Sequence, residues 1–174
     1  MRKNLGSCAA IFPMPVLMIG TYDKNGNIDV MNAAWGMMAD MNKVALNLTE
    51  SHKTVKNIKE TGYFTVGLAD FNHMKQADYV GIVSGNNTPD KFQKSGLTAV
   101  KSEFVNAPII QEFPVTMECK FIEYQSNENG VGVIGEIVNV SANEEVLDEN
   151  GKIDASKINA LIYDPFNHLY FKVG

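Results

Sequence analysis

Apolar residues in this chain come in short runs cut by turn residues, a rhythm of strands more than of long helices. Val16 to Tyr22 reads as a strand and Ile28 to Asn32 as its antiparallel return. Between them, Asp23-Lys24-Asn25-Gly26-Asn27 carries an Asn-Gly pair, which tolerates positive φ and is a strong short hairpin signal. Val44 to Leu48 reads as a third, partly alternating strand and Tyr63 to Leu68 as a further one. Residues 51–60 put Val55 and Ile58 on one side and lysines on the other, the pattern of an amphipathic helix that ends near Gly62.

Residues 72–83 and 89–95 read as two more helices. In the second, Thr88 is placed to cap and Pro89 to take the first helical position, where its missing N–H is harmless. Beyond Gly96 the pattern is strand-rich. Val115–Gln125 and Val131–Val140 are long β segments joined at Asn127-Glu128-Asn129-Gly130, Asn150-Gly151 marks another turn, and the tail carries Tyr163, Phe166, Tyr170 and Phe171. No repeat, low-complexity tract or linker interrupts residues 1–174, so one domain is expected. Antiparallel strands with short turns and a few outer helices favour a closed barrel over a parallel sheet.

The 174 residues are 45% hydrophobic and 20% charged, ordinary for a globular protein with a real core. A net charge of −5 and scattered basic residues argue against broad nucleic-acid binding. Cys8 and Cys119 are too few and too far apart for a zinc site or a disulfide framework, so two reduced thiols are expected, with Cys119 as core. Arg2 and Lys3 precede an apolar run from Cys8 to Gly20, but Pro13 and Pro15 break it and no small-residue cleavage site follows. No segment approaches the ~20 apolar residues of a membrane helix. The expected location is the cytoplasm, with no membrane and no nucleic-acid partner.

Three segments carry candidate chemistry. In Asn47-Leu48-Thr49-Glu50-Ser51-His52-Lys53-Thr54, hydroxyls and a lysine meet the start of a helix, where unpaired amides and the macrodipole attract phosphate. Bonds to a charged group contribute about 1.5–3 kcal/mol each. The same hydroxyls also suit plain capping of the helix by Thr49 or Ser51. Asn32-Ala33-Ala34-Trp35 ends a strand in small residues that admit a flat ligand to the backbone, and Trp35 is either a stacking face or a core or subunit filler. Ser84-Gly85-Asn86-Asn87 precedes Asp90-Lys91-Phe92, where Lys91 is either an anion ligand or a solvated surface lysine. His73 and His168 lie in unrelated segments. Metal-ligand spacing, a nucleophile elbow, a Walker loop and a dinucleotide glycine fingerprint are all lacking.

Taken in order, these segments resemble the FMN-binding split-barrel family of flavin reductase-like and flavoredoxin-like proteins, from about Pro15 to Gly174. Asn32-Ala33-Ala34-Trp35 is similar to that family's first flavin-contacting turn. Leu48 and Thr49 lead into Ser51-His52-Lys53-Thr54, which resembles its phosphate turn, with Asn57 one helical turn further on. Tyr79 to Gly85, including Ser84, followed by Asp90-Lys91-Phe92, resembles the next block. Asp164-Pro165-Phe166 through Tyr170 and Gly174 is similar to the closing strand.

The resemblance implies a mainly β fold: a six-stranded antiparallel Greek-key split barrel with flanking α-helices. It implies a homodimer with FMN at the subunit interface, where Phe166 or Tyr163 reaches the flavin held mainly by the other subunit. Lys91 would support the phosphate or the charge of a reduced ring. The implied function is to pass reducing equivalents through FMN, as a flavin reductase or a flavoredoxin-like carrier, with no side chain acting as acid or base. Flavin reductases that use NAD(P)H often carry a late barrel histidine; residues 115–140 hold none and His168 is the one late candidate, which favours electron transfer. A flavin-holding or sensing module without turnover and a pyridoxamine-phosphate-oxidase-like barrel stand as alternatives.

Overall fold

The Asn-Gly turn forms as its sequence requires. In the computed structural model, a two-residue strand β1 (Met14–Pro15) leads into β2 (Leu17–Tyr22), which pairs antiparallel with β3 (Ile28–Ala33). Asp23 fixes the turn by accepting, through Oδ1, from the amides of Asn25 (2.8 Å) and Asn27 (2.9 Å). The structure describes residues 1–173; Gly174, counted in the expected closing segment, lies outside the described residues.

The chain continues through β4 (Gly36–Asp40), β5 (Lys43–Leu46), helix α1 (Lys53–Thr61), β6 (Tyr63–Leu68), α2 (Met74–Ile82) and α3 (Lys91–Ser95). Then follow β7 (Ala99–Lys101), β8 (Pro108–Ile110), β9 (Val115–Gln125), β10 (Gly132–Ala142), β11 (Leu161–Asp164) and β12 (Leu169–Lys172). Seven strands form one antiparallel sheet in the order β3-β2-β6-β9-β10-β5-β4, beside a three-stranded β1-β11-β12 sheet and the β7-β8 pair. The sheet curls on itself. A Cβ on Gly36 of β4 would lie 2.4 Å from Leu17 on β2 and 3.0 Å from Leu46 on β5.

The mainly antiparallel β class is as expected, but six strands undercounts the main sheet. The strand without a sequence signal is β4, whose Met37, Met38, Ala39 and Asp40 are all exposed. A strand with no buried face shows no alternation to read. All three helix starts also come two residues later than expected, α2 at Met74 behind a short 3-10 turn. Helix α1 begins at Lys53, and α3 begins at Lys91 with Asp90 before it. Pro89 therefore lies ahead of α3, and Thr88 contributes only its carbonyl, which accepts from the Lys91 amide at 3.1 Å.

Strand β2 is buried from Leu17 to Thr21 because both of its faces are covered. Leu17 and Ile19 join Val44, Leu46, Val55, Ile58, Phe64, Val66 and Val133 inside the curl, plugged by α1. Met18, with Val16 just ahead of the strand, packs on the other side with Val30, Ala77, Val80 and Phe92, under α2 and α3. Helix α1 ends where predicted: Gly62 takes the left-handed conformation (φ 81°) and its amide bonds the Ile58 carbonyl. Both cysteines are free; Cys119 is buried in the curl, and burial, then the neighbouring Glu118, pushes its thiol up to about 12. Among the described residues, no group of three or more His, Cys, Asp or Glu is placed to hold a metal, and no helix is long and apolar enough to cross a membrane.

Phe64 is the keystone of the curl. Its side chain is fully buried, and a Cβ on Gly135 of β10 would stand 2.3 Å from its Cζ, so the tip of the ring packs against the glycine two strands away. Phe64→Ala is expected to cost about 3–5 kcal/mol of stability in urea unfolding. A loss under about 1 kcal/mol would show that the curl closes without that ring.

Candidate functional site

Two chambers meet where β3, α1 and α2 converge. The larger, about 340 Å³, is bordered by the Asn32-Ala33-Ala34-Trp35 turn, by Leu48 and His52, by Asp78, Gly81 and Ile82 of α2, and by Tyr163 and Tyr170. The smaller, about 150 Å³, is bordered by Asp29, His52, Lys53, Thr54, the Val83-Ser84-Gly85 turn and Lys91. Met31, His52, Gly81 and Ile82 border both, so the two chambers are adjacent, with His52 at their boundary.

The larger chamber has the walls of a ring slot. Trp35 is tilted against Tyr163 with centroids 6.3 Å apart, and Tyr163 packs on Tyr170 at 5.8 Å. Its turn is tied down by the Asn47 amide, which bonds the Trp35 carbonyl at 2.8 Å. Tyr124 of β9 secures the next residue, donating to the Leu48 carbonyl at 3.1 Å. At the chamber's other end, Asn32 Nδ2 donates to the Ala77 carbonyl (2.8 Å), and the Tyr170 hydroxyl donates to Asp78 Oδ1 (3.0 Å). A Cβ on Gly81 would sit 2.3 Å from Asn32 Oδ1, so only glycine there leaves room for this amide. Burial, then the bond to Asp78 and its charge, pushes the Tyr170 phenol up to about 12.

The smaller chamber is built to receive an anion. His52 is the N-cap residue of α1, yet no side chain caps that helix start. The first amides of α1 have no carbonyl to bond within the helix, so they remain available to a ligand. His52 Nδ1 is buried and without a hydrogen-bond partner, the kind of atom whose burial is costly until something binds it. Burial, then the charge of Lys91, lowers the imidazole below its usual range, against an opposing pull from Asp29. His52 is therefore neutral at neutral pH. Lys91 is only 4% exposed, and its Nζ stands 3.6 Å from Asp29 Oδ1. The Asn86 side chain ties the Ser84–Asn87 turn to the start of α1 through the Ser51 carbonyl (3.1 Å) and Lys56 Nζ (3.3 Å).

Among the residues singled out from sequence, Asn32, Ala33, Ala34, Trp35, Leu48, His52, Lys53, Thr54, Ser84 and Lys91 line one chamber or the other. The other four do not. Thr49 is exposed and offers its carbonyl to the His52 amide, and the Ser51 side chain is also exposed. Asn57 is buried and donates to Thr21 Oγ1 at 3.0 Å, a bond inside the fold. Phe166 is 53% exposed and lies outside both chambers of its own chain.

Capping of α1 by Thr49 or Ser51 does not occur, and Lys91 is not a solvated surface lysine. The Thr54 hydroxyl is directed to Asp29 Oδ2 at 2.9 Å, so Thr54 faces the chamber with its backbone amide free of that bond. Sequence reasoning missed Asp29 and Asp78, and it took in Gly81 only as part of the Tyr79–Gly85 block. For Asp29 a signal existed: it is a lone charge in the otherwise apolar run Ile28-Asp29-Val30-Met31.

Comparisons with known proteins identify the family and the fold. Residues 9–167 match the family described as flavin reductase like domain. The structure of flavoredoxin from Desulfovibrio vulgaris (Miyazaki F) is 35% identical, with a TM-score of 0.94 covering 100% of this chain and 94% of that one. Flavoredoxin from Methanosarcina acetivorans is 27% identical, with a TM-score of 0.86 over 100% of this chain and 91% of the other. A split barrel domain structure from Shewanella frigidimarina NCIMB 400, at 22% identity and a TM-score of 0.81 over 94% and 83% of the two chains, shares the fold.

Tyr170 gives the site a pH signature. Its pKa in the folded protein, about 12, lies above the ordinary phenol value of 10.0, so the stability it contributes is complete below pH 10.0 and is lost as pH rises toward 12. In Tyr170→Phe, unfolding free energy measured by urea titration should fall less steeply with pH above 10.0 than in the wild type. Identical slopes would mean that the phenol is not held protonated by Asp78.

Proposed function

Because this chain belongs to the flavin reductase-like domain family, we propose that it binds FMN and passes reducing equivalents through it as a flavoredoxin-like electron carrier. The observation that carries this reading is the uncapped start of α1 beside an unbonded buried histidine nitrogen, adjacent to a chamber walled by Trp35 and Tyr163. Phosphate suits the first feature and a flat ring suits the second. A single anion chamber of about 150 Å³ favours a mononucleotide over a dinucleotide.

On this reading the α1 amides, His52, Lys53 and Lys91 hold the phosphate. Asn32, Ala33, Ala34, Trp35, Leu48 and Tyr163 border the ring and its ribityl chain, and Ser84 borders the phosphate. Bound FMN supplies the hydride and single-electron chemistry. The protein's part is to orient the ring, exclude water from one face and set the charge near it. The chain also belongs in a homodimer with the flavin at the subunit interface. Trp35 and Phe166 remain 48% and 53% exposed, leaving aromatic surface for a second subunit at the open side.

One observation favours a second reading, a flavin reductase that draws hydride from NAD(P)H. His168, the late histidine, has its Nδ1 2.6 Å from the Tyr163 hydroxyl at the wall of the ring chamber, within reach of a second planar ligand.

Titration with FMN and with riboflavin, which lacks the phosphate, tests the proposal. FMN is expected to bind the more tightly and to quench the emission of Trp35, the one tryptophan in the chain. His52→Ala should weaken FMN by about 1.5–3 kcal/mol, the contribution of a bond to a charged group, and leave riboflavin nearly unchanged. Equal affinity for the two flavins would remove the phosphate from the small chamber. Oxidation of NADH or NADPH by the FMN-loaded protein would select the reductase reading.

A further inference from the structure

We propose that Asp29 is a positioning residue of the anion chamber: its carboxylate holds Lys91 there as a buried ammonium and turns the Thr54 hydroxyl away from the ligand. The proposal rests on reading that chamber as a phosphate site. A carboxylate is an unexpected wall for such a site, because it repels the ligand, and among the described residues Asp29 is the one carboxylate that lines it. It is also not there by accident of exposure. Asp29 is 3% exposed, with Oδ2 accepting from Thr54 Oγ1 at 2.9 Å and Oδ1 facing Lys91 Nζ at 3.6 Å. Residue 85 has to be glycine for this arrangement, since a Cβ there would stand 2.2 Å from Asp29 Oδ1.

The reason for the carboxylate lies in Lys91. A lysine this deeply buried loses its proton unless a countercharge is near. Burial pushes the Lys91 ammonium down, the charge of Asp29 at 3.6 Å opposes that, and Lys53 adds to the lowering. The charged and titratable groups facing Lys91 are thus Asp29 from β3 and His52 and Lys53 at the start of α1, while Asp90 on its own helix pairs with Lys94 at 3.0 Å. With Asp29 in place, the cation exists before any ligand arrives, and the chamber is preorganised. Without it, the empty site would hold a neutral amine, and an arriving phosphate would have to be accompanied by a proton.

That difference is visible as a pH profile. FMN affinity would be measured for the wild type, Asp29→Asn and Asp29→Asn/Lys91→Arg between about pH 7 and pH 9, above the ordinary titration of phosphate and histidine. The Asp29→Asn affinity should fall roughly tenfold per pH unit once Lys91 is neutral, and the wild type should fall much less. The double variant should be flat, because a guanidinium does not deprotonate in this range. Parallel profiles for the wild type and Asp29→Asn, or no rescue by arginine, would overturn the inference while leaving FMN binding intact. A wild type that binds no FMN would instead overturn the phosphate reading and the inference together. If Asp29→Asn does not fold, the wild-type Lys91 Cε resonance should shift as the Asp29 carboxyl titrates in acid. An unmoved resonance would overturn the pairing.

Discussion

Keeping a lysine charged inside the protein is the constraint on which the site's geometry depends. Lys91 comes from α3, its countercharge Asp29 from β3, and the hydroxyl that occupies the second carboxylate oxygen from Thr54 on α1. An uncompensated charge at that depth would cost several kcal/mol. The three elements are thereby fixed relative to one another around one small chamber. Strand β3 then extends the same register outward. Thr21 stands opposite Asp29 and Met18 opposite Asn32, so a slip of one residue against β2 would turn both side chains to the wrong face. The anion chamber and the ring chamber share one strand, and they share its register.

That shared strand explains what was legible in the sequence. The hairpin at Asn25-Gly26, the helix ending at Gly62 and the long β9–β10 pair each announce themselves by local chemistry: a turn that needs positive φ, an amphipathic stripe, β-branched density. The two candidate turns drew notice through local patterns as well, small residues after a strand and hydroxyls before a helix, although the Thr49 and Ser51 hydroxyls lie outside both chambers. Lys91 was identified as a candidate, but its burial was not foreseeable, because burial depends on α3 folding back over β3. Asp29 was passed over because its role exists only once Lys91 and Thr54 arrive from 62 and 25 residues away. Strand β4 was missed for the opposite reason: with its Met37–Asp40 side chains exposed, it has no buried face to leave a pattern.

On the proposed function, the two chambers divide the work of holding a phosphorylated planar ligand. One end offers amides, a neutral imidazole and a preformed cation, the set that recognises a phosphate. The other offers tilted aromatic faces and a turn of small residues, the set that grips a flat ring. Membership of the flavin reductase-like family and the full-length likeness to flavoredoxin structures tie the chain to flavin chemistry, and the proposed FMN site assigns the two chambers to the two ends of that cofactor. In such a protein the side chains need not carry out acid–base chemistry; their contribution is position and field. His168, hydrogen-bonded to Tyr163 at the wall of the ring chamber, is the late histidine on which the reductase reading rests.

The most direct test of this arrangement is the visible absorbance of the protein as purified, and again after incubation with excess FMN and removal of the unbound flavin. A retained oxidised-flavin spectrum, saturating at one FMN per chain, is the predicted result. A protein that stays colourless after loading would contradict the joining of the two chambers into a flavin site, and the functional assignment would fall with it.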